Sequence, residues 1–167
     1  MKRTSSDRSS SFISIADSNF DGNTKSIIEN IGSGSSPAPV VVALNNITGT
    51  NCHANFISQQ YKNLSLLKVK DFNISTTDEG LIGINLRYMN SRVADIENAT
   101  ISGFAEGIHY EHISYTDLTS IAGENPHPYI DNINNVAVTG CNIGMYLISG
   151  SYVHVTDSNI TCKGAAV

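Results

Sequence analysis

One phrase recurs along the chain: apolar, any residue, apolar, any residue, small or acidic, any residue, Asn, apolar. Its clearest copies are Ile13–Phe20, Leu67–Ile74, Val136–Ile143 and Val153–Ile160. Looser copies at Val42–Ile47, which is shortened, and Ala94–Ile101, with Thr in place of the Asn, fill the gaps. Alternation with period two turns one side of a strand inward and leaves the other outward. The Gly, Asp or Asn that follows tolerates the backbone angles of a sharp bend. Between copies lies a second apolar segment: Ser26–Ile28, Asn55–Ile57, Gly80–Leu86, Glu106–Tyr110 and Gly144–Ile148. Each repeat therefore carries at least two strands separated by turn residues.

Self-similarity of this kind is the signature of a solenoid, in which every turn of chain buries its apolar side against the next. Equivalent positions such as Val69 and Ile96, or Val138 and Val155, are spaced unevenly, as loops of different length allow. A leucine-rich repeat would demand a stricter Leu and Asn pattern, and a two-sheet sandwich has no reason to repeat one phrase. The expected fold is all-β: a right-handed single-stranded parallel β-helix of about six short coils. Residues 1–11 are expected as an N-terminal tail and residues 12–167 as the β-helix domain, with a long inserted loop at 112–132.

Composition agrees with strands and tight turns. The 167 residues are 40% hydrophobic and only 15% charged, without Trp, and fit one domain. A net charge of −5 and a pI near 5.4 argue against a nucleic-acid partner, which needs clustered Lys and Arg. No apolar run reaches the roughly 18 residues of a membrane span, and none follows the basic N-terminus to make a signal peptide. Cys52, Cys141 and Cys162 follow no metal-ligand spacing and read as free thiols, so neither metal nor cofactor is expected. The sequons at Asn46, Asn63, Asn73, Asn98 and Asn159 fall mostly within the strand-turn phrase and read as structural rather than glycosylated.

Strand-turn phrases such as Asn46-Ile47-Thr48-Gly49 and Glu106-Gly107-Ile108-His109 resemble those of the pectate-lyase-like β-helix superfamily, over roughly residues 12 to 162. That superfamily includes polysaccharide lyases, polygalacturonases and the trimeric tailspike depolymerases of bacteriophages. The resemblance is one of fold, and no catalytic motif is carried over with it. It implies a tailspike-like protein of a virion or the extracellular space, made in the cytoplasm without a signal peptide. The implied partners are a bacterial surface polysaccharide and further subunits of a homotrimer or larger β-helix assembly.

Stacking the repeats sets equivalent residues about 4.8 Å apart, so their alignment is a map of neighbours. On the first strand Lys68 falls beside Asp95 and Lys70 beside Glu97, two opposite-charge pairs that mark those acids as surface residues. At the bend Asp17 and Asp71 share one column two coils apart and read as turn formers, while Asn19, Asn73, Asn142 and Asn159 are expected as an Asn ladder. On the second strand Asn85, His109 and Tyr146 are expected outward in one column, with Arg87 and Glu111 as neighbours in the next. Amide, imidazole, phenol, guanidinium and carboxylate on one face would suit a sugar, and would equally suit an ordinary solvated face with one salt bridge.

A hydrolase needs a carboxylic acid facing a second carboxylate across the sugar. The expected catalytic residues are Glu111 with Asp117 or Glu124, the latter two in the 112–132 loop, and Arg87, Asn85, His109 and Tyr146 are expected to bind substrate. Two other readings stand beside this one. A non-catalytic structural or adhesive β-helix fits the lack of a catalytic motif, and a secreted pectate lyase would require a cluster of calcium-binding acids that the sequence does not show. The sequence runs out part way through a coil, so either a longer β-helix or neighbouring subunits are expected to cover its ends.

Overall fold

The alternating residues form strands wherever the repeat phrase occurs. The structure, a computed structural model, describes residues 11–29, 40–60, 64–89, 94–112, 131–148 and 153–167. All regular elements among them are strands, numbered here in chain order. The long ones are β1 (Ser11–Asp21), β3 (Val40–Thr50), β5 (Leu64–Ser75), β7 (Ala94–Ser102) and β9 (Asp131–Thr139), followed by β11 (Val153–Thr156) and β12 (Asn159–Thr161). The short ones are β2 (Ile28–Glu29), β4 (Ile57–Gln60), β6 (Ile82–Met89), β8 (Glu106–His112) and β10 (Ile143–Ile148).

The chain visits two sheets in turn. One has the order β1-β3-β5-β7-β9-β11, with β12 also on β9, and the other β2-β4-β6-β8-β10. Every pairing is parallel. Parallel neighbours that alternate between two sheets are the arrangement a solenoid requires. No helix among the described residues is long and apolar enough to cross a membrane.

Each long strand turns a corner at a single residue. Asp17, Asn46, Asp71, Asn98, Asn135 and Asp157 all lie in the left-handed region at φ 50–53°. Asn and Asp are the residues that enter this region at least cost after Gly. Along this corner column Asn46 Nδ2 donates to Asp17 Oδ1 at 2.7 Å, Asn98 Nδ2 to Asp71 Oδ1 at 3.0 Å and Asn135 Nδ2 to Asn98 Oδ1 at 2.8 Å. A carboxylate only accepts and an amide also donates, so interleaving the two lets the column satisfy itself. The amide ladder thus runs through these residues and not through the expected Asn column. Asn19, Asn73 and Asn159 do share a column, with Thr48 between the first two and Thr100 and Ala137 between the last two, but Asn142 lies outside it.

That difference has one cause, a slipped copy of the repeat. Val136–Ile143 was expected to start a first strand, yet Val153 pairs with Asp131, Val155 with Ile133 and Ile160 with Val138. Val136 therefore follows the corner, opposite Ala99, and Val138 is not equivalent to Val155. Both halves of a long strand alternate apolar residues, so the pattern could not tell one half from the other. The Val69–Ile96, Lys68–Asp95 and Lys70–Glu97 registers are as expected.

The core fills the space between the sheets. Ile15, Leu44, Val69, Ile96 and Ile133 make one inward column of the long sheet, with the exposed Val155 at its end, and Ile28, Ile57, Ile84, Ile108 and Met145 face it from the short sheet. Each such side chain, where fully buried, contributes roughly 1.5–3 kcal/mol. Phe56 packs edge-on against both Phe20 and Phe72, with ring centroids 6.0 and 5.5 Å away.

Sizes are matched across the core. A Cβ on Gly107 would come within 2.4 Å of Val138 Cγ1, and one on Gly144 within 2.2 Å of Ile160 Cγ2. Two turns before Gly107 the sizes exchange: the short side carries Phe56, and a Cβ on Gly49 across from it would lie 2.2 Å from that ring. Close-packed interiors tolerate neither the overlap nor the void that breaking this exchange would create.

Candidate functional site

Because Ile84 and Leu86 point into the core, Asn85 between them faces away from it. Register continues that outer column as Glu29, Ser58, Asn85, His109 and Tyr146, one residue from each short strand. The expected Asn85, His109 and Tyr146 column is therefore formed. Its surroundings differ from a solvated face: Tyr146 is 42% exposed, but Asn85 and His109 are each only 3% exposed.

Two carboxylates and a phenol ring meet His109. Glu106 Oε2 lies 2.6 Å from Nδ1, Glu111 Oε2 lies 3.8 Å from Nε2, and the Tyr146 ring meets the imidazole edge-on at 5.2 Å and 62°. A carboxylate only accepts, so Nδ1 carries the proton of the short contact to Glu106. In the neutral imidazole Nε2 then holds a free lone pair on the Glu111 side. A base fixed by one carboxylate, with a second carboxylate near its other nitrogen, can move a proton between a substrate and Glu111.

The same patch holds most of the unmet hydrogen-bonding capacity among the described residues. Asn85 Oδ1, Arg87 Nε and His109 Nε2 are buried atoms without a hydrogen-bond partner, and Asn23 Oδ1 is the fourth such atom. Buried polar groups are ordinarily paired, and exceptions mark sites of strain, chemistry or binding. Arg87 does not reach Glu111: the β6–β8 register shifts between Leu86 and Met89, and Glu111 pairs with Ile148 on its other side. The expected Arg87–Glu111 salt bridge is not formed, and the carboxylates that approach His109 on this face are those of Glu106 and Glu111. Asp117 and Glu124 lie outside the described residues, as does the middle of the 112–132 loop; β8 continues through His112 and β9 begins at Asp131.

Glu106 was not foreseen. Period two sets residues 106 and 109 on opposite sides of a strand, so alignment alone separates them. Glu106 opens β8, where the consecutive Gly107 and Ile108 both face the core, so the alternation slips by one residue and Glu106 comes to the same outer side as His109. A Glu three residues before a His is a faint signal that strand geometry argues against.

Elsewhere the polar groups are better satisfied. A shallow groove of about 480 Å³ on the outer long sheet is lined by Lys68, Lys70, Asp95, Glu97, Asn132 and Asn134. There Lys70 pairs with Glu97 at 3.5 Å, Asn132 donates to Asp95 at 3.2 Å and Asn134 donates to Thr156 at 2.6 Å. A second groove, about 390 Å³, includes Lys25, Glu29, Asn55 and Ser58, and so adjoins one end of the His109 column. Asp17 and Asp71 are corner residues with Asn46 between them, which favours their turn-forming role.

Burial pushes the Cys52 thiol up to about 11 and raises those of Cys141 and Cys162, which disfavours thiolate chemistry at neutral pH. Among the described residues no group of three or more His, Cys, Asp or Glu could hold a metal ion. No protein-family model, curated protein or solved structure matches the chain.

Proposed function

We propose that the chain is a right-handed single-stranded parallel β-helix of the tailspike kind that binds a bacterial surface polysaccharide and depolymerises it on the outer face of the short sheet. The observation that carries this reading is His109, buried between Glu106 and Glu111, with Nε2 unpaired and beside a carboxylate. An outward column of Glu29, Ser58, Asn85, His109 and Tyr146 spans five strands, roughly 19 Å at the parallel-strand spacing. That is the length of a short oligosaccharide. Tyr146 supplies an exposed ring on which a pyranose can stack, and the groove at Lys25 and Glu29 extends the path. Glu111 is the acid-base carboxylate of this reading, and Asp117 or Glu124 its second carboxylate. The assembly is a homotrimer or part of a longer β-helix in a virion or extracellular structure.

A non-catalytic adhesive β-helix is the second reading, and the near-complete burial of Asn85 and His109 favours it. Digestion of bacterial capsular polysaccharides decides between them. Release of reducing ends, abolished in Glu111→Gln, supports the depolymerase. Glycan binding without products leaves the adhesive protein, and failure to bind any surface glycan removes both.

A further inference from the structure

Cys141 and Cys162 occupy adjoining coils at the same corner between the two sheets. Backbone bonds on either side of them fix this: Gly140 N–H donates to Thr161 O at 3.1 Å, Lys163 N–H to Cys141 O at 2.8 Å and Gly164 N–H to Asn142 O at 3.0 Å. Neighbouring parallel backbones lie about 4.8 Å apart, within the roughly 4.4–6.8 Å between α-carbons that a disulfide spans. Both side chains turn inward. Cys141 is fully buried in the core, Cys162 packs against that core, and a Cβ on Gly144 would lie 2.9 Å from Cys162 Sγ. A negative charge on Cys162 would raise the Cys141 thiol, a mark of their closeness. Both thiols are free. Cys52 is out of reach of either: its N–H donates to Ser75 O, and the same contact recurs at Thr76, Gly103 and Gly140, which sets Cys52 three coils away, roughly 14 Å.

We infer that Cys141 and Cys162 are a redox latch: on oxidation they form a disulfide that locks the coil of β11 and β12 onto the coil before it. The latch is independent of the depolymerase reading. Its oxidant is a low-molecular-weight disulfide such as glutathione disulfide. Cys162, the less buried of the two, attacks one oxidant sulfur, so that the oxidant's S–S bond breaks, a mixed disulfide forms on Cys162 and one glutathione thiol departs with the proton. Cys141 then attacks Cys162 Sγ, which forms the intercoil bond and releases the second glutathione thiol. Two protein thiols have lost two electrons and two protons, and the oxidant has gained both. Burial raises both thiols and the thiolate is the attacking form, so closure is faster at alkaline pH. The bond closes a loop that contains β10, β11 and β12, and with them Tyr146 of the outer column. Val155 in this coil is 38% exposed, which makes the coil a place where local opening starts. In a reducing compartment the latch stays open, and in an oxidising one it closes.

The whole folded chain, incubated with glutathione disulfide at about pH 8.5, near the ordinary thiol pKa, then alkylated without reduction and mapped by mass spectrometry, tests the pairing. One Cys141–Cys162 bridge within the chain, with Cys52 alone alkylated, supports it. Three alkylated thiols, glutathione retained on Cys162, a bridge that includes Cys52 or a link between two chains overturns it. Urea unfolding tests the locking. The bridged form should unfold with an equilibrium constant roughly a hundredfold smaller than the same protein after dithiothreitol. That gain, measured within each variant between its oxidised and reduced forms, should vanish in Cys141→Ser and in Cys162→Ser and persist in Cys52→Ala. Equal midpoints for the bridged and reduced parent chain, or a gain that survives either serine substitution, would overturn the latch.

Discussion

The outer faces of the two sheets are built from similar residues and treat their polar groups in opposite ways. On the long sheet Lys, Asp, Glu and Asn pair with the strand alongside, and in the corner column Asn46, Asn98 and Asn135 each donate to the residue one coil before. On the short sheet Asn85, Arg87 and His109 are drawn out of water and left with an atom unmatched. A satisfied ladder holds one coil on the next. An unsatisfied buried cluster costs stability and persists where something other than stability is served. Polar composition alone would have ranked the two faces alike; the hydrogen-bond accounting separates them.

That contrast can be broken by substitution. The largest effect belongs to the shared core: Phe72→Ala removes a ring 1% exposed that stacks on Phe56 and should cost about 3–5 kcal/mol, read as a lower urea midpoint. Next comes the satisfied ladder. Asn98→Ala should cost about 1–2 kcal/mol for the left-handed corner alone, and Asn98→Gly less, so an equal loss in both would assign the effect to the amide bonds instead. His109→Leu should change stability by less than about 1 kcal/mol, because it trades an imperfectly paired imidazole for an apolar group, and under the proposed depolymerase function it should abolish cleavage. A loss on the scale of Phe72→Ala would make the short-sheet cluster structural after all.

A further effect is confined to alkaline pH. The folded Cys52 thiol is raised from 9.0 to about 11 by burial, so the folded state holds its proton more tightly than the unfolded chain. Its contribution is complete below about pH 9 and is lost as pH rises through about 11. Cys52→Ala should therefore flatten the alkaline limb of the urea midpoint against pH, by comparison with the parent chain.

Much of the fold was legible in the residues, because a chain that alternates between two parallel sheets writes one solution several times. The second-strand segments and the Lys70–Glu97 register followed from period two alone. The error at Val136 shows the limit: two half-strands with the same alternation flank every corner, and only the position of the αL residue, Asn135, distinguishes them. An Asp or Asn in the middle of an alternating run was the available signal, and it was read as part of the phrase and not as its pivot.

What the sequence determined by itself is a stack of parallel strands, because apolar residues two apart must share one dry side wherever they recur. It also determined that Asn85, His109 and Tyr146 stand in line, since register follows from the repeat. Tertiary structure alone decided that this line sinks from exposed at Tyr146 to buried at His109 and Asn85, and that a break in alternation at Gly107 and Ile108 brings Glu106 to the imidazole. Alternation specifies which side of a strand a residue takes. How deeply that side is covered, and which carboxylate arrives there, depends on side chains brought in from other turns of the chain.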